Sequence, residues 1–124
     1  FRFDSNAFAG IDRDVFVAAL EAEGVPADGR FYESLSVSEL LRPDSARYPA
    51  WSAALAAVPA ATCPNAERAA YRESVWLPHQ LLLGTETDVD DIVEAAFKVQ
   101  SGAADLAGLE STEVDRLRRA RSAR

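Results

Sequence analysis

Residue types that carry much of enzyme chemistry are scarce in this 124-residue chain. His79 is the only histidine, Cys63 the only cysteine and Lys98 the only lysine. A nucleophile needs a base beside it and a metal ion needs several ligands, and the sequence offers no second histidine or cysteine for either purpose. We therefore predict that the chain holds no catalytic residue and no metal site of its own.

The remaining reactive side chains have structural explanations. Lys98 is expected near the end of a helix, where a cation is stabilised by the helix dipole and by water. A lysine that forms a Schiff base needs a desolvated pocket instead. Cys63 precedes Pro64 at a predicted helix start, and Asp90 and Asp91 fall in the first turns of another helix, where solvation explains carboxylates better than acid–base chemistry.

Charge and composition indicate a soluble globular domain that does not bind nucleic acid. The formal net charge is −7, whereas nucleic-acid binding depends on neutralising phosphates. Five arginines lie between residues 111 and 124, and we expect residues 110–124 to form a solvated, frayed tail. No apolar run approaches a membrane span, and a single cysteine suits a reducing cytoplasm.

Three short extended segments alternate with helices in the predicted fold. Phe1–Asp4, residues 31–32 and Ser74–Leu77 are expected to be strands. The fold class is therefore α+β, with helices packed on one face of a small antiparallel sheet. The chain begins at Phe1 and contains no methionine, from which we expect a segment of a longer protein.

Helix ends are marked by capping residues. Asp12 is expected to cap a helix that ends before Gly24, and Thr87 to cap a helix that ends at Gly102. Pro64 suits the first turn of a third helix. Residues 43–62 read as a long excursion with a loose helix inside it, and long loops of this kind tend to be functional or mobile.

Five segments in order resemble the C-terminal domain of the DegT/StrS aminotransferases. The matching segments are residues 13–26, which open with Arg-Asp-Val-Phe, residues 31–35 (Phe-Tyr-Glu-Ser-Leu), 63–68 (Cys-Pro-Asn-Ala-Glu-Arg), 74–79 (Ser-Val-Trp-Leu-Pro-His) and 88–93 (Asp-Val-Asp-Asp-Ile-Val). They fall where the family has its opening helix, a His-Tyr-x-Pro pattern, a Pro-x-Ala-Glu-Arg helix start, a Leu-Pro-Leu-His strand and its closing helix. The resemblance covers residues 1 to about 100.

The resemblance implies the small domain of a fold-type-I transaminase that works as a cytoplasmic homodimer. Residues 1–109 would form this domain, lacking its N-terminal side. Pyridoxal phosphate would be held by a large domain absent from the chain, so the chain by itself is expected to be inactive. Ser34 replaces a common proline and Ser36 a common histidine, which looks closer to the branch that aminates keto-cyclitols with glutamine in antibiotic biosynthesis.

By position in the family, the substrate contacts would come from the region after residue 30 and from one histidine. The candidate substrate-binding residues are Tyr32, Glu33, Ser34, Ser36 and His79. Two alternatives remain open: a nucleotide-linked 4-keto or 3-keto sugar as the acceptor, or a non-catalytic orphan domain that only binds a partner.

Overall fold

The structure, a computed structural model, describes residues 1–30, 33–58 and 62–109, together with Thr112, Val114 and Arg116. Regular structure in these ranges is helical. The α-helices are α1 (Arg13–Ala22), α2 (Pro49–Ala56), α3 (Pro64–Arg68), α4 (Glu86–Ser101) and α5 (Ala103–Leu106). A π-helical turn, Ala69–Glu73, continues α3, and 3₁₀ turns cover Ser5–Phe8, Glu39–Leu41 and His79–Leu82.

Helix α1 lies at the centre of the core. Phe16 and Leu20 are among its fully buried side chains. The Phe16 ring stacks on Phe3 at 4.9 Å between centroids and meets Phe8 edge-on at 4.8 Å. On another side α1 packs against α4. Val114 is also buried in this core, although it belongs to the predicted tail 110–124.

The predicted antiparallel sheet is wrong. Across the described residues, extended backbone pairs only as two isolated antiparallel bridges, Arg2 with Ser74 and Asp28 with Trp76. The segments predicted as first and third strands, Phe1–Asp4 and Ser74–Leu77, do meet at the first bridge. The second predicted strand, residues 31–32, lies outside the described residues.

Two prolines stop the Asp28–Trp76 pairing on one side. Asp28 and Trp76 exchange both backbone N–H···O bonds, at 2.9 and 2.7 Å. The next hydrogen-bonded pair of an antiparallel ladder would join positions 26 and 78. Pro26 and Pro78 stand there, and neither has an N–H to donate. The ladder therefore cannot grow in this direction.

Competing donors stop the same pairing on the other side, where positions 30 and 74 would come next. The Arg30 N–H donates to the Asp28 carboxylate at 2.9 Å, which closes a local turn. The Ser74 N–H donates to the Ala69 carbonyl at 2.9 Å as part of the π-helical turn. Both donors are therefore committed to local structure, and the pairing stops at a single bridge.

Helix ends agree with the sequence in part. Gly24 follows α1 with a positive φ of 92°, which confirms its predicted role at the helix end. Gly102 is the C-cap of α4, also as predicted. The α4 N-cap is Thr85 rather than Thr87, because Thr85 and Asp88 form a reciprocal capping box three residues apart.

Helix α2 lies inside the predicted excursion, residues 43–62, and none of its residues is buried. Within the described ranges, no helix combines the length and apolarity that a bilayer crossing requires.

The capping box makes one pH-dependent prediction. The Thr85 hydroxyl and the Thr85 backbone N–H both donate to the Asp88 carboxylate and lower its pKa below the ordinary value of 3.8, the hydroxyl having the larger effect. A lowered pKa stabilises the folded protein above pH 4, and this contribution disappears as the pH falls through the folded-state pKa. Asp88→Asn is expected to unfold at lower urea concentration than wild type at pH 6, with the difference shrinking towards pH 2.

Asp90→Asn is the matched control, since it removes a carboxylate from the same end of α4 without touching Thr85. If wild type were more stable to urea than Asp88→Asn by the same amount at pH 2 as at pH 6, the role of the charged carboxylate would be contradicted.

Candidate functional site

The candidate site centres on residues 33–42, here called the strap, which contains three of the predicted substrate-binding residues. Its backbone folds as successive turns: the Val37 N–H donates to the Ser34 carbonyl at 3.1 Å and the Leu41 N–H to the Ser38 carbonyl at 3.2 Å. Ser38 is the N-cap of the 3₁₀ turn within it. The strap therefore holds its shape by local hydrogen bonds.

The strap has small polar residues on its inside and large apolar residues on its outside. Ser34 and Ser38 are each 4% exposed, whereas Leu35 is 71% exposed. Val37 and Leu41 of the strap are exposed as well, and the exposed apolar side chains continue beyond it with Tyr48, Trp51, Leu55 and Val58. A concentration of exposed apolar side chains is typical of a surface that meets another macromolecular surface.

Two of the predicted site residues are brought together in the strap. The Ser34 and Ser36 hydroxyl oxygens lie 2.7 Å apart and share a hydrogen bond. Because Ser34 is buried and Ser36 is exposed, Ser36 is the one that can present further hydrogen-bonding capacity to a ligand. Glu33 is exposed beside them. Tyr32 lies outside the described residues, and its role stays a prediction.

An ion-pair network of two buried residues, Arg13 and Asp14, and the half-exposed Arg30 precedes the strap and is here called the anchor. Arg13 is the most buried charged residue described, with 2% of its side chain exposed. Its Nε and Nη2 donate to one oxygen of Asp14, Oδ1, at 3.1 and 3.0 Å. A buried guanidinium is tolerated only when its charge and its donors are satisfied, as here.

The second oxygen of Asp14 binds the residue that leads into the strap. Arg30 donates to Asp14 Oδ2 through Nε at 2.8 Å and through Nη2 as well. Each carboxylate oxygen therefore serves one arginine. Asp14 thereby ties the chain immediately before the strap to the first turn of α1.

The π-helical turn supplies the third side of the anchor. Because the Ser74 N–H donates to Ala69 rather than to Ala70, as it would in an α-helix, the Ala70 carbonyl is left for another donor. Arg13 Nη1 donates to that carbonyl at 2.7 Å. The anchor therefore joins α1, residue 30 and the end of α3.

Glycine at position 29 makes this packing possible. A Cβ atom on Gly29 would lie 2.5 Å from Arg13 Nε and 2.9 Å from Arg13 Cδ. Such distances are far inside van der Waals contact, so only glycine lets the backbone pass the buried guanidinium without displacing it.

His79 lies apart from the strap along the chain path. It is exposed and begins the 3₁₀ turn three residues after Trp76. Because the Asp28–Trp76 bridge is antiparallel, the chain leaving Trp76 towards His79 runs opposite to the chain leaving Asp28 towards the strap. The residues after His79 line a cavity of about 450 Å³ with Glu23, Asp88 and Asp91.

A second cavity, of about 530 Å³, lies beside the anchor. Arg13 and Asp14 form part of its wall, together with Asp12, Tyr71 and Arg72. The buried charges in this wall already pair with each other, so the cavity presents no unsatisfied buried charge to a ligand.

The described residues do not fit a covalent cofactor site. Lys98 Nζ donates to the Glu23 carboxylate at 2.5 Å, and the lysine side chain is 68% exposed. This is a solvated surface pair, whereas a Schiff-base lysine needs a desolvated pocket. Cys63 is exposed at the start of α3, and no metal-binding group of three His, Cys, Asp or Glu residues occurs in the described part of the chain.

The anchor corresponds to no sequence motif, although the sequence contains one signal for it. Arg13 stands three, four and seven residues before Phe16, Val17 and Leu20, which places it on the apolar stripe of α1. A charged residue on a buried stripe must find a partner. Its charged partner, Asp14, is the next residue, but the Ala70 carbonyl that Arg13 also binds and the Arg30 that shares Asp14 are distant in sequence and could not be read from it.

Among curated proteins, this chain is similar to aminotransferases. It is 36% identical over 110 residues to a Streptomyces kanamyceticus protein, a match that covers 86% of this chain and 26% of the relative. It is 40% identical over 104 residues to a protein from Streptoalloteichus tenebrarius and 36% identical over 104 residues to one from Micromonospora echinospora, covering 81% of this chain and 25% of each relative.

All three relatives are named as candidate L-glutamine:3-amino-2,3-dideoxy-scyllo-inosose aminotransferases. The chain spans about a quarter of the length of each. No family model matches it, and no solved structure does. The predicted resemblance to part of an aminotransferase is therefore confirmed, while the assignment to the DegT/StrS family stays a prediction.

The close approach at Gly29 predicts that Gly29→Ala disturbs the anchor. The added methyl group must displace the Arg13 side chain from its hydrogen bonds, and overpacking of this kind costs roughly 1–3 kcal/mol of unfolding free energy. Urea unfolding measures the loss. Gly102→Ala is the control, since a Cβ there would lie 3.7 Å from its nearest neighbour. Equal stability of the two variants would contradict the packing role of Gly29.

Proposed function

We propose that this chain is a substrate-shaping region of an aminotransferase that moves an amino group from glutamine to a keto-cyclitol. The observation that carries the proposal is the 36–40% identity, over most of this chain, to the three relatives named for that reaction. In such a transfer the ketone carbon gains the amine and the amino acid becomes its 2-oxo acid, so no net oxidant is required.

The exposed apolar side chains support a role within a larger protein. Leu35 on the strap and Trp51 on α2 are 71% and 55% exposed. In an isolated domain this surface would meet water, whereas it could be covered by the three quarters of the relatives' length that this chain does not span. The non-catalytic orphan domain has no comparable observation in its favour.

The strap offers polar groups suited to a polyol ring. A cyclitol presents several hydroxyl groups, and its binding site needs a few well-placed hydrogen-bonding partners. Ser36, held by Ser34, can donate or accept, and the exposed Glu33 carboxylate can accept from ring hydroxyls. In this proposal, residues of the chain bind and orient the acceptor and none of them takes part in bond making.

Pyridoxal phosphate is the cofactor we propose for the whole enzyme. When bound, it supplies an electron sink for moving the amino group. Its lysine and phosphate contacts would come from the rest of the protein, because Lys98 is a solvated surface residue here. The homodimer, the cytoplasmic location and the absence of a nucleic-acid partner stay predictions.

The direct test is a transamination assay of the protein that carries this chain. With glutamine as donor, we expect amination of 3-amino-2,3-dideoxy-scyllo-inosose. Mass spectrometry identifies the product. A nucleotide-linked 4-keto sugar and a 3-keto sugar are assayed in parallel. If only a nucleotide sugar were aminated, the proposed acceptor would be that sugar and not the cyclitol. If no ketone were aminated, the enzyme assignment would be refuted.

A second prediction concerns Tyr32. If its hydroxyl binds the acceptor, Tyr32→Phe in the same protein raises the KM for the keto substrate by about fivefold to tenfold, the loss expected for one neutral hydrogen bond, while kcat changes little. Steady-state kinetics at varied acceptor concentration measure it. Tyr48→Phe, the same change at an exposed tyrosine outside the predicted site, serves as the control. Identical KM values for Tyr32→Phe and wild type would remove Tyr32 from the site.

A further inference from the structure

We infer that the anchor is a positioning device for the strap, with Asp14 and Arg30 acting as positioning residues for the acceptor site. The consequence for the acceptor rests on the proposed function. The mechanical part, that Arg30 fixes where the strap begins, rests on the geometry alone.

Just before the strap, the chain is bonded to the core at two places, Asp28 and Arg30, and Arg30 is the nearer of the two. Asp28 is fixed by its backbone pairing with Trp76, and Arg30 by its two bonds to Asp14. Beyond residue 32 the strap is shaped by bonds within itself, such as those between Val37 and Ser34. The strap therefore keeps its shape by its own bonds and packs through its buried Ser34 and Ser38, while Arg30 fixes the chain just before it.

The two arginines that bind Asp14 differ in burial. Arg13 is buried and bonded to both Asp14 and the Ala70 carbonyl, so it belongs to the rigid core. Arg30 is 55% exposed and approaches the carboxylate from the strap side. Arg13 therefore holds the Asp14 carboxylate in place, and the carboxylate in turn holds Arg30.

This geometry affects acceptor binding because a hydrogen bond forms only when its donor and acceptor atoms lie about 2.5–3.2 Å apart and are well aligned. A displacement of about 1 Å takes the two atoms out of that range, so the bond and its share of the binding energy are lost. Ser36 and Glu33 lie within six residues of Arg30, so a shift at the attachment point is transmitted to them over a short length of chain.

The test compares Arg30→Gln with Arg42→Gln in the protein that carries this chain. Arg30→Gln removes the strap's ion pair while Arg13 keeps its Asp14 partner, so no buried charge is left alone. Arg42→Gln is the same change within the strap, and its partner Glu39 lies in the strap itself, 3.1 Å away and exposed. Asp14→Asn is avoided as the main variant because it would strand the buried Arg13 charge.

Hydrogen exchange read by mass spectrometry decides the mechanical part. In Arg30→Gln we expect amides of residues 33–42 to exchange about fivefold faster than in wild type, the size expected for loss of one partly exposed ion pair. Amides of α4, and the strap amides in Arg42→Gln, are expected to keep wild-type rates. Unchanged strap exchange in Arg30→Gln, or equal acceleration of strap and α4, would overturn the inference.

Kinetics decide the consequence for the acceptor. Arg30→Gln is expected to raise the acceptor KM about tenfold, the size expected when about one hydrogen bond to the acceptor is lost, with kcat within about twofold. Arg30→Lys is expected to recover part of the loss because it keeps the charge without the paired donors. A fall in kcat at unchanged KM would overturn acceptor positioning. A wild-type protein without transaminase activity would refute the proposed function, and the exchange measurement would still decide whether the anchor holds the strap.

Discussion

The requirement to neutralise one buried guanidinium organises the centre of this molecule. Arg13 lies on the apolar stripe of α1. Its Nε and Nη2 donate to Asp14, and its Nη1 donates to the Ala70 carbonyl of the π-helical turn. Burial of a charge is costly unless it is paired and hydrogen-bonded, so the segments that carry its partners are held around it. The π-helical turn after α3, the turn at Gly29 and the first turn of α1 all meet at this guanidinium.

The same constraint explains why extended backbone is so brief here. The π-helical turn that frees the Ala70 carbonyl for Arg13 also uses the Ser74 N–H, which a longer ladder would need. The prolines at 26 and 78 block the other direction. Local hydrogen bonds and the two prolines therefore limit the Asp28–Trp76 pairing to one bridge, where alternating hydrophobicity favoured a sheet. The core around Phe16 is closed by helices α1 and α4 instead.

The strap shows how structure can restrict a functional proposal. Its inner serines and outer aliphatic residues invert the usual pattern of a surface segment. Such a segment is typical of a surface whose outer side meets another macromolecular surface. Of the five predicted site residues, the structure brings Ser34 and Ser36 into contact, leaves Glu33 exposed beside them and directs His79 along a different path.

Local signals in the sequence determined the helix ends at Gly24 and Gly102, the start of α3 at Pro64 and the resemblance to part of an aminotransferase, because caps and motifs depend on neighbouring residues. Only the tertiary structure decided that the sheet does not form and that Arg13 and Arg30 share Asp14. Both outcomes depend on which groups far apart in sequence compete for the same donors and acceptors. That competition is settled by packing in three dimensions, and no local pattern records it.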